Sequence, residues 1–260
     1  MTRISRSHPR YASLKVRARL AEAHRSGLVV PEGLIAHGRA EAFDYLLGER
    51  TSPSARRAAR VAAQWLRAAR HPVVSVNGNV AALAADGIAG LQRALPSLGV
   101  EVNLFHRSPA RVRAVARTLE VHGVRGVMGV RATGRIPGLP SDRAVVDRRG
   151  ILAADVVLVP LEDGDRTAAL RRAGKRVIAI DLNPLSRTSR TADLPIIDEL
   201  TRALAQIVLG MRRRSGPRRP QPGAFAPFDA RAAREASLRT IARRLVRNAP
   251  NRGRPVPRAR

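Results

Sequence analysis

The sequence predicts an α/β protein, Rossmann-like, with a mostly parallel sheet carrying helices on both faces and a helical N-terminal segment ahead of it. Three observations predict this. From residue 72 onward, short apolar runs alternate with helix-forming stretches. The runs are apolar throughout rather than at every second residue, as in strands covered on both sides. The first 70 residues, by contrast, read as helix and loop.

Taken in order, residues 10–26 have helix-forming composition, with Leu14, Arg17 and Leu20 at three-residue steps and Gly27 closing the segment. That spacing places Arg17 on the apolar face. Pro31 to Gly38 reads as a loop and 39–47 as a short helix. Residues 53–70 form a longer helix with Val61, Trp65 and Leu66 along one side, so Trp65 reads as a core anchor. Strands are expected at 72–76, 100–105, 125–130, 155–160, 176–180 and 194–198, and helices at 79–94, 108–122, 164–173 and 199–211. Beyond residue 210, Pro, Gly and Arg dominate, and only 230–248 reads as helix. Two domains are therefore expected: a catalytic body over 1–210, and a mostly flexible basic extension over 211–260 whose removal leaves the body working.

Composition excludes several classes. With no cysteine, disulfides, thiolate catalysis and zinc–cysteine sites are all ruled out. His8, His24, His37, His71, His106 and His122 show no metal-binding spacing, so no protein-held metal is expected. No stretch approaches the roughly 18 apolar residues of a membrane span, and arginines interrupt the N-terminus where a signal peptide needs its apolar centre, so a soluble, cytoplasmic protein without membrane contact is expected. The formal charge is +28, of which the 15 arginines of residues 211–260, set against Asp229 and Glu235, supply +13. Nearly all of it is arginine, which suits bidentate phosphate binding.

In parallel sheets, ligands sit beyond the carboxyl ends of the strands. Here those ends are polar: Ser75-Val76-Asn77-Gly78-Asn79, Asn103 to Ser108, Pro160 to Thr167, and the run Asp181-Leu182-Asn183-Pro184-Leu185-Ser186-Arg187-Thr188. Singly, Asn79, Ser108 and Asp165 read as helix caps; together the four ends favour one site. Gly174-Lys175 lacks the following Ser or Thr of a P-loop, and residues 123–129 lack the GxGxxG spacing. Asp181, Asn183, Arg187 and Thr188 instead suit a nucleoside phosphate, the acid and amide for ribose or base and the guanidinium and hydroxyl for phosphate.

Four stretches, SHPRYASLKVR (7–17), GLIAHGRAEAFDYLLGE (33–49), PVVSVNGNVAAL (72–83) and VPLEDGDRTAAL with VIAIDLNPLSRTSRTAD (159–193), resemble the archaeal phosphopantothenate synthetase family, the 4-phosphopantoate:β-alanine ligases of coenzyme A synthesis. The resemblance runs from about residue 5 to 210. It implies a homodimeric enzyme that joins 4-phosphopantoate to β-alanine using ATP with Mg²⁺ as co-substrate, releasing AMP and diphosphate. It also implies ATP contacts at Arg17, Arg39, Asp181, Leu182, Asn183, Arg187, Thr188, Asp198 and Glu199. This chain departs from the pattern at Glu199, where asparagine is expected, and at Ala40, where glycine is expected. For the second substrate the candidates are His37, Asn77, Asn79, Asn103 and Arg107, with Asp163 or Asp165 for the β-alanine ammonium or magnesium. Two other functions are compatible with the residues: a ligase or kinase for another small phosphorylated acid, and a nucleic-acid-binding protein gripping through its basic tail. Dispersed aromatics offer no stacking platform, so nucleic acid is expected only as non-specific contact.

Overall fold

A computed structural model describes residues 5–8, 10–212, 221 and 223–248. Three helices come first: α1 (Tyr11–Arg25), α2 (Pro31–Leu47) and α3 (Pro53–Ala68). The α/β portion follows as β1 (Pro72–Val76), α4 (Gly78–Ala94), β2 (Gly99–Val102) and α5 (Pro109–Val121). An excursion then carries the short antiparallel pair β3 (Gly134–Arg135) and β4 (Val145–Val146). The chain returns through β5 (Val156–Pro160), α6 (Gly164–Arg172), β6 (Arg176–Ile180), α7 (Arg187–Thr191), β7 (Leu194–Ile196) and α8 (Leu200–Arg212), and α9 (Ala230–Asn248) lies beyond.

The main sheet has the order β2-β1-β5-β6-β7, and all its pairings are parallel. Counting only these strands, the order is 2-1-3-4-5, a doubly wound arrangement whose crevice opens at the carboxyl edge between β1 and β5. Successive strand residues feed opposite faces. Val74, Val76, Leu158, Ile178 and Ile180 join a core with Leu66 of α3, Ile88 of α4, Leu119 of α5 and Ile207 of α8. Val73, Val157, Val159, Val177 and Ala179 join a second core with Leu170 of α6 and with Ile136, Val146 and Ile151 of the excursion. Burying each such aliphatic side chain contributes roughly 1.5–3 kcal/mol before chain entropy is set against it.

Local chemistry starts the helices. Ser52, Asn77, Ser108, Asp163 and Ser186 each accept a backbone N–H at the beginning of α3, α4, α5, α6 and α7. The caps are thus Asn77 and Asp163, rather than the expected Asn79 and Asp165. Pro31 begins a continuous helix rather than the expected loop, because at the first helical position its missing N–H costs nothing. Residues 125–130 also differ from expectation. Gly126 and Gly129 take left-handed conformations (φ 62° and 89°), which breaks the run, and only Met128 bridges to β2. Trp65 is buried as expected, its Nε1 donating to Ala226 O at 2.7 Å. Among the described residues no helix is long and apolar enough to cross a membrane.

Candidate active site

The carboxyl edge of the sheet carries the first polar cluster. At the end of β5, Leu161 adopts φ 52°, an uncommon conformation for a branched side chain. It is held there by Asn77, whose Nδ2 donates to Leu161 O at 2.9 Å while its Oδ1 accepts from Val80 N at 3.0 Å. The turn presents Glu162 inward, between the guanidinium groups of Arg143 and Arg166. Burial pushes the Glu162 carboxyl up, but the two arginines outweigh it and hold it below the usual carboxylate range. Next to it, Asp163 caps α6 through Arg166 N at 2.7 Å and lies 3.4 Å from Arg143 Nε. Burial, reinforced by the neighbouring Glu162 charge, raises the Asp163 carboxyl.

The loop after β6 folds on its own side chains. Asp181 accepts from Asn183 N at 3.0 Å and from the Ser186 hydroxyl, and Asn183 Oδ1 accepts from Leu185 N at 2.8 Å. Thr188 ties the loop to the β5 turn, donating to Glu162 O at 2.8 Å. Arg187 crosses Gly164 so closely that a Cβ there would lie 2.4 Å from Arg187 Cγ, and its guanidinium meets Asp165 at 2.6 Å. Both partners of this pair are well exposed, so its own stabilisation is about 0–1 kcal/mol and the guanidinium is easily redirected to a phosphate. Burial raises the Asp181 carboxyl, against the pull of these hydrogen bonds and of the Arg39 charge.

Helix α2 brings the N-terminal residues to this edge. Arg39 is exposed and acts electrostatically on Asp181. Arg17 is half exposed rather than turned into the apolar face, and it grips Glu41 with Nη2 to Oε2 at 2.8 Å and Nε to Oε2 at 3.0 Å. The Tyr45 hydroxyl donates to Glu41 Oε1 at 2.9 Å. Burial raises the Glu41 carboxyl, but the Arg17 and Tyr45 hydrogen bonds prevail and it stays below the ordinary value. His37, one turn earlier, has a buried Nε2 without a partner. Burial lowers its imidazole, opposed by Glu41 and Glu199. Asn79 Nδ2 donates to Gly33 O at 2.8 Å, and a Cβ on Gly33 would lie 2.3 Å from Asn79 Oδ1, so a side chain there would displace Asn79.

The remaining candidates are engaged by the protein itself. Asp198 is buried, accepting from Thr51 Oγ1 at 2.7 Å and from Arg202 Nε at 3.1 Å, and burial raises its carboxyl. Glu199 folds back on Thr201 N and Arg202 N at the start of α8. Asn103 is fully buried and donates to Arg143 O and Val145 O, while Arg107 donates to Gly129 O at 2.5 Å, so both hold the excursion in place. Still, Asn103 Oδ1 and Arg107 Nη1 are buried without partners. Arg187 thus meets Asp165, Thr188 meets Glu162 O and Ser186 meets Asp181, while Arg39 acts on Asp181 through its charge. Asn103 instead donates to Arg143 O, and Arg107 N donates to Asp142 Oδ2 at 3.2 Å.

Sequence reading missed Glu41, Tyr45, Arg143, Glu162 and Arg166. The Glu162–Arg166 pair had a signal in its four-residue helical spacing; Arg143 arrives from the excursion and had none. The amino ends of α4, α6, α7 and α8 all lie beyond strand ends and contribute positive dipole character there, as an anionic ligand requires. Among the described residues no group of three or more His, Asp or Glu is arranged to hold a metal ion.

A 4-phosphopantoate--beta-alanine ligase of Methanospirillum hungatei is 58% identical over 204 residues, covering 78% of this chain and 83% of the relative. Ligases of the same name from Thermococcus kodakarensis and Methanosarcina mazei are 51% and 50% identical, each covering 80% of this chain and respectively 80% and 81% of the relative. The phosphopantothenate/pantothenate synthetase family matches residues 54–244, which include most of α9 as well as every strand of the main sheet. With such identity across four-fifths of its length and a matching family over most of the fold, the chain belongs to the phosphopantothenate/pantothenate synthetase family.

Proposed function

We propose that the protein condenses 4-phosphopantoate with β-alanine to 4'-phosphopantothenate in coenzyme A synthesis, consuming ATP and releasing AMP and diphosphate. The observation that carries this reading is the 50–58% identity, over about four-fifths of the chain, to ligases of that name.

The chemistry follows from the reactants. A carboxylate resists an amine because the attack adds charge to an anion that lacks a leaving group. The pantoate carboxylate attacks the α-phosphorus of ATP, forming an acyl-adenylate and expelling diphosphate. The β-alanine nitrogen then attacks the acyl carbon, AMP leaves with the C–O electron pair, and the ammonium-derived protons pass to solvent. Such steps depend on positioning and charge stabilisation rather than on a protein nucleophile. In this reading Arg39, Arg187 and Arg17 surround the triphosphate, which arrives as its magnesium complex, and Asp181 to Asn183 hold the ribose and base. Asp163, which caps α6, or Asp165 at the start of that helix would meet the metal or the β-alanine ammonium. His37, Asn77, Asn79, Asn103 and Arg107 are the candidates for 4-phosphopantoate, and the buried unpartnered atoms of His37, Asn103 and Arg107 support that reading. The protein works in the cytoplasm as a homodimer.

The test is incubation with ATP, Mg²⁺, 4-phosphopantoate and β-alanine. Stoichiometric AMP and diphosphate are expected. ADP in place of AMP overturns the adenylate route, and no turnover with these substrates overturns the assignment.

A further inference from the structure

Helix α9 reaches the candidate nucleotide site from behind. Upstream of it, Arg176 at the start of β6 is held 5.3 Å from the Trp65 ring and 4.5 Å from the Phe225 ring, and Gly223 N donates to Ala68 O at 2.9 Å. The first half of α9 is moored to α3, where Ser54 Oγ donates to Ala233 O at 3.2 Å. Its second half meets the walls of the site. Ile241 is buried in one apolar cluster with Leu47 of α2, Leu182 of the loop after β6 and Ile197 just past β7. Arg244 covers the carboxyl end of α2, donating to Tyr45 O at 3.5 Å and lying where a Cβ on Gly48 would come within 2.6 Å of its Nη1. A cation there is favoured by the helix dipole.

These contacts join two elements that otherwise carry opposite walls. Helix α2 bears His37, Arg39 and Glu41, and the loop bears Asp181 and Asn183, with Leu182 between them. The polar side chains of the loop bond mainly to one another, so Leu182 is its apolar anchor and Ile241 supplies the surface on which it rests.

We propose that α9 is a positioning element of the nucleotide site, with Ile241 and Arg244 fixing α2, which bears Arg39, against the loop after β6, which bears Asp181. This rests on the ATP-dependent reading above. Side chains that never touch the reacting groups alter binding when they shift the groups that do, and small displacements have large effects.

The test compares the full chain with Ile241→Ala, Ile241→Val, Arg244→Ala and the exposed control Arg243→Ala. Affinity for α,β-methylene ATP is measured by calorimetry, KM for ATP and for β-alanine by AMP release, and folding by thermal melting, with kinetics run well below every melting point. Ile241→Ala and Arg244→Ala should each raise the analogue Kd and the KM for ATP about tenfold and leave the KM for β-alanine within about twofold. Ile241→Val should restore most of the affinity, and Arg243→Ala should match the parent. A merely structural helix would lower the melting temperature and the active fraction while leaving both KM values in place, and that result overturns the proposal. If Ile241→Ala does not fold, Arg244→Ala and Ile241→Val decide it. A parent chain that binds no analogue and makes no AMP overturns the ATP reading as well; a parent that binds while the folded variants match it overturns only the role of α9.

Discussion

Glu162 is the side chain on which three parts of the site depend. Its carboxylate takes Arg143 from the excursion and Arg166 from α6, and its backbone carbonyl takes the Thr188 hydroxyl. The Arg166 guanidinium is fully buried and, among the described residues, bonds otherwise only to Ser75 Oγ, so removing the negative charge strands it away from water. Glu162→Gln should therefore cost about 3 kcal/mol of stability, seen as a lower urea midpoint with an unchanged slope. Arg39 and Arg187 are the opposite case. Both are exposed, so alanine at either should leave the melting temperature within a few degrees while weakening ATP binding about tenfold or more; unaltered ATP affinity would remove them from the site. At this scale the sequence showed the exposed cations, because strand ends and polar loops are visible in it. It did not show the buried ion network, whose members stand 19 residues apart or more except at the one helical spacing.

At the scale of elements, a buried carboxylate on β2 helps to pin the excursion after α5. Glu101 accepts from Asp147 N at 2.9 Å and Ile151 N at 2.6 Å, and a Cβ on Gly150 would lie 2.0 Å from its Oε2. Burial outweighs these bonds and the distant Arg166 charge, raising the group to about 7. A folded-state value above the unfolded one means that the native protein holds a proton the unfolded chain has already lost. Stability from this group is complete below about pH 4.5 and is lost as pH rises through about 7, a change on the order of 3 kcal/mol. Urea titrations between pH 5 and pH 7.5 should show this decline, and Glu101→Gln should flatten it; an unchanged slope in the variant would assign the decline elsewhere. Most strands and helices were legible because apolar runs and caps are local. The run at 125–130 misled because two glycines with positive φ interrupt it, and Pro31 misled because a helix start and a turn use the same residue.

At the scale of the molecule, the charge of +28 is shared between the α/β body and the C-terminal region, and α9 packs on α2, α3, α7 and β7. A chain ending at Asn248 keeps that packing and loses four arginines, so it should retain AMP production; any weak duplex DNA binding should fall steeply with salt and fall further in the shortened chain. Activity lost on this truncation would place the last residues in the enzyme. The sequence by itself determined the α/β class, the polar strand ends and the resemblance to a ligase family, since periodicity, caps and motifs are short-range properties that survive without coordinates. Only the tertiary structure decided that Arg17 is gripped by Glu41, that Arg143 closes on Glu162, and that a helix read as an appendage seats Ile241 beside Leu182. Those pairings join residues tens of positions apart, and which distant groups meet is fixed by how the layers pack.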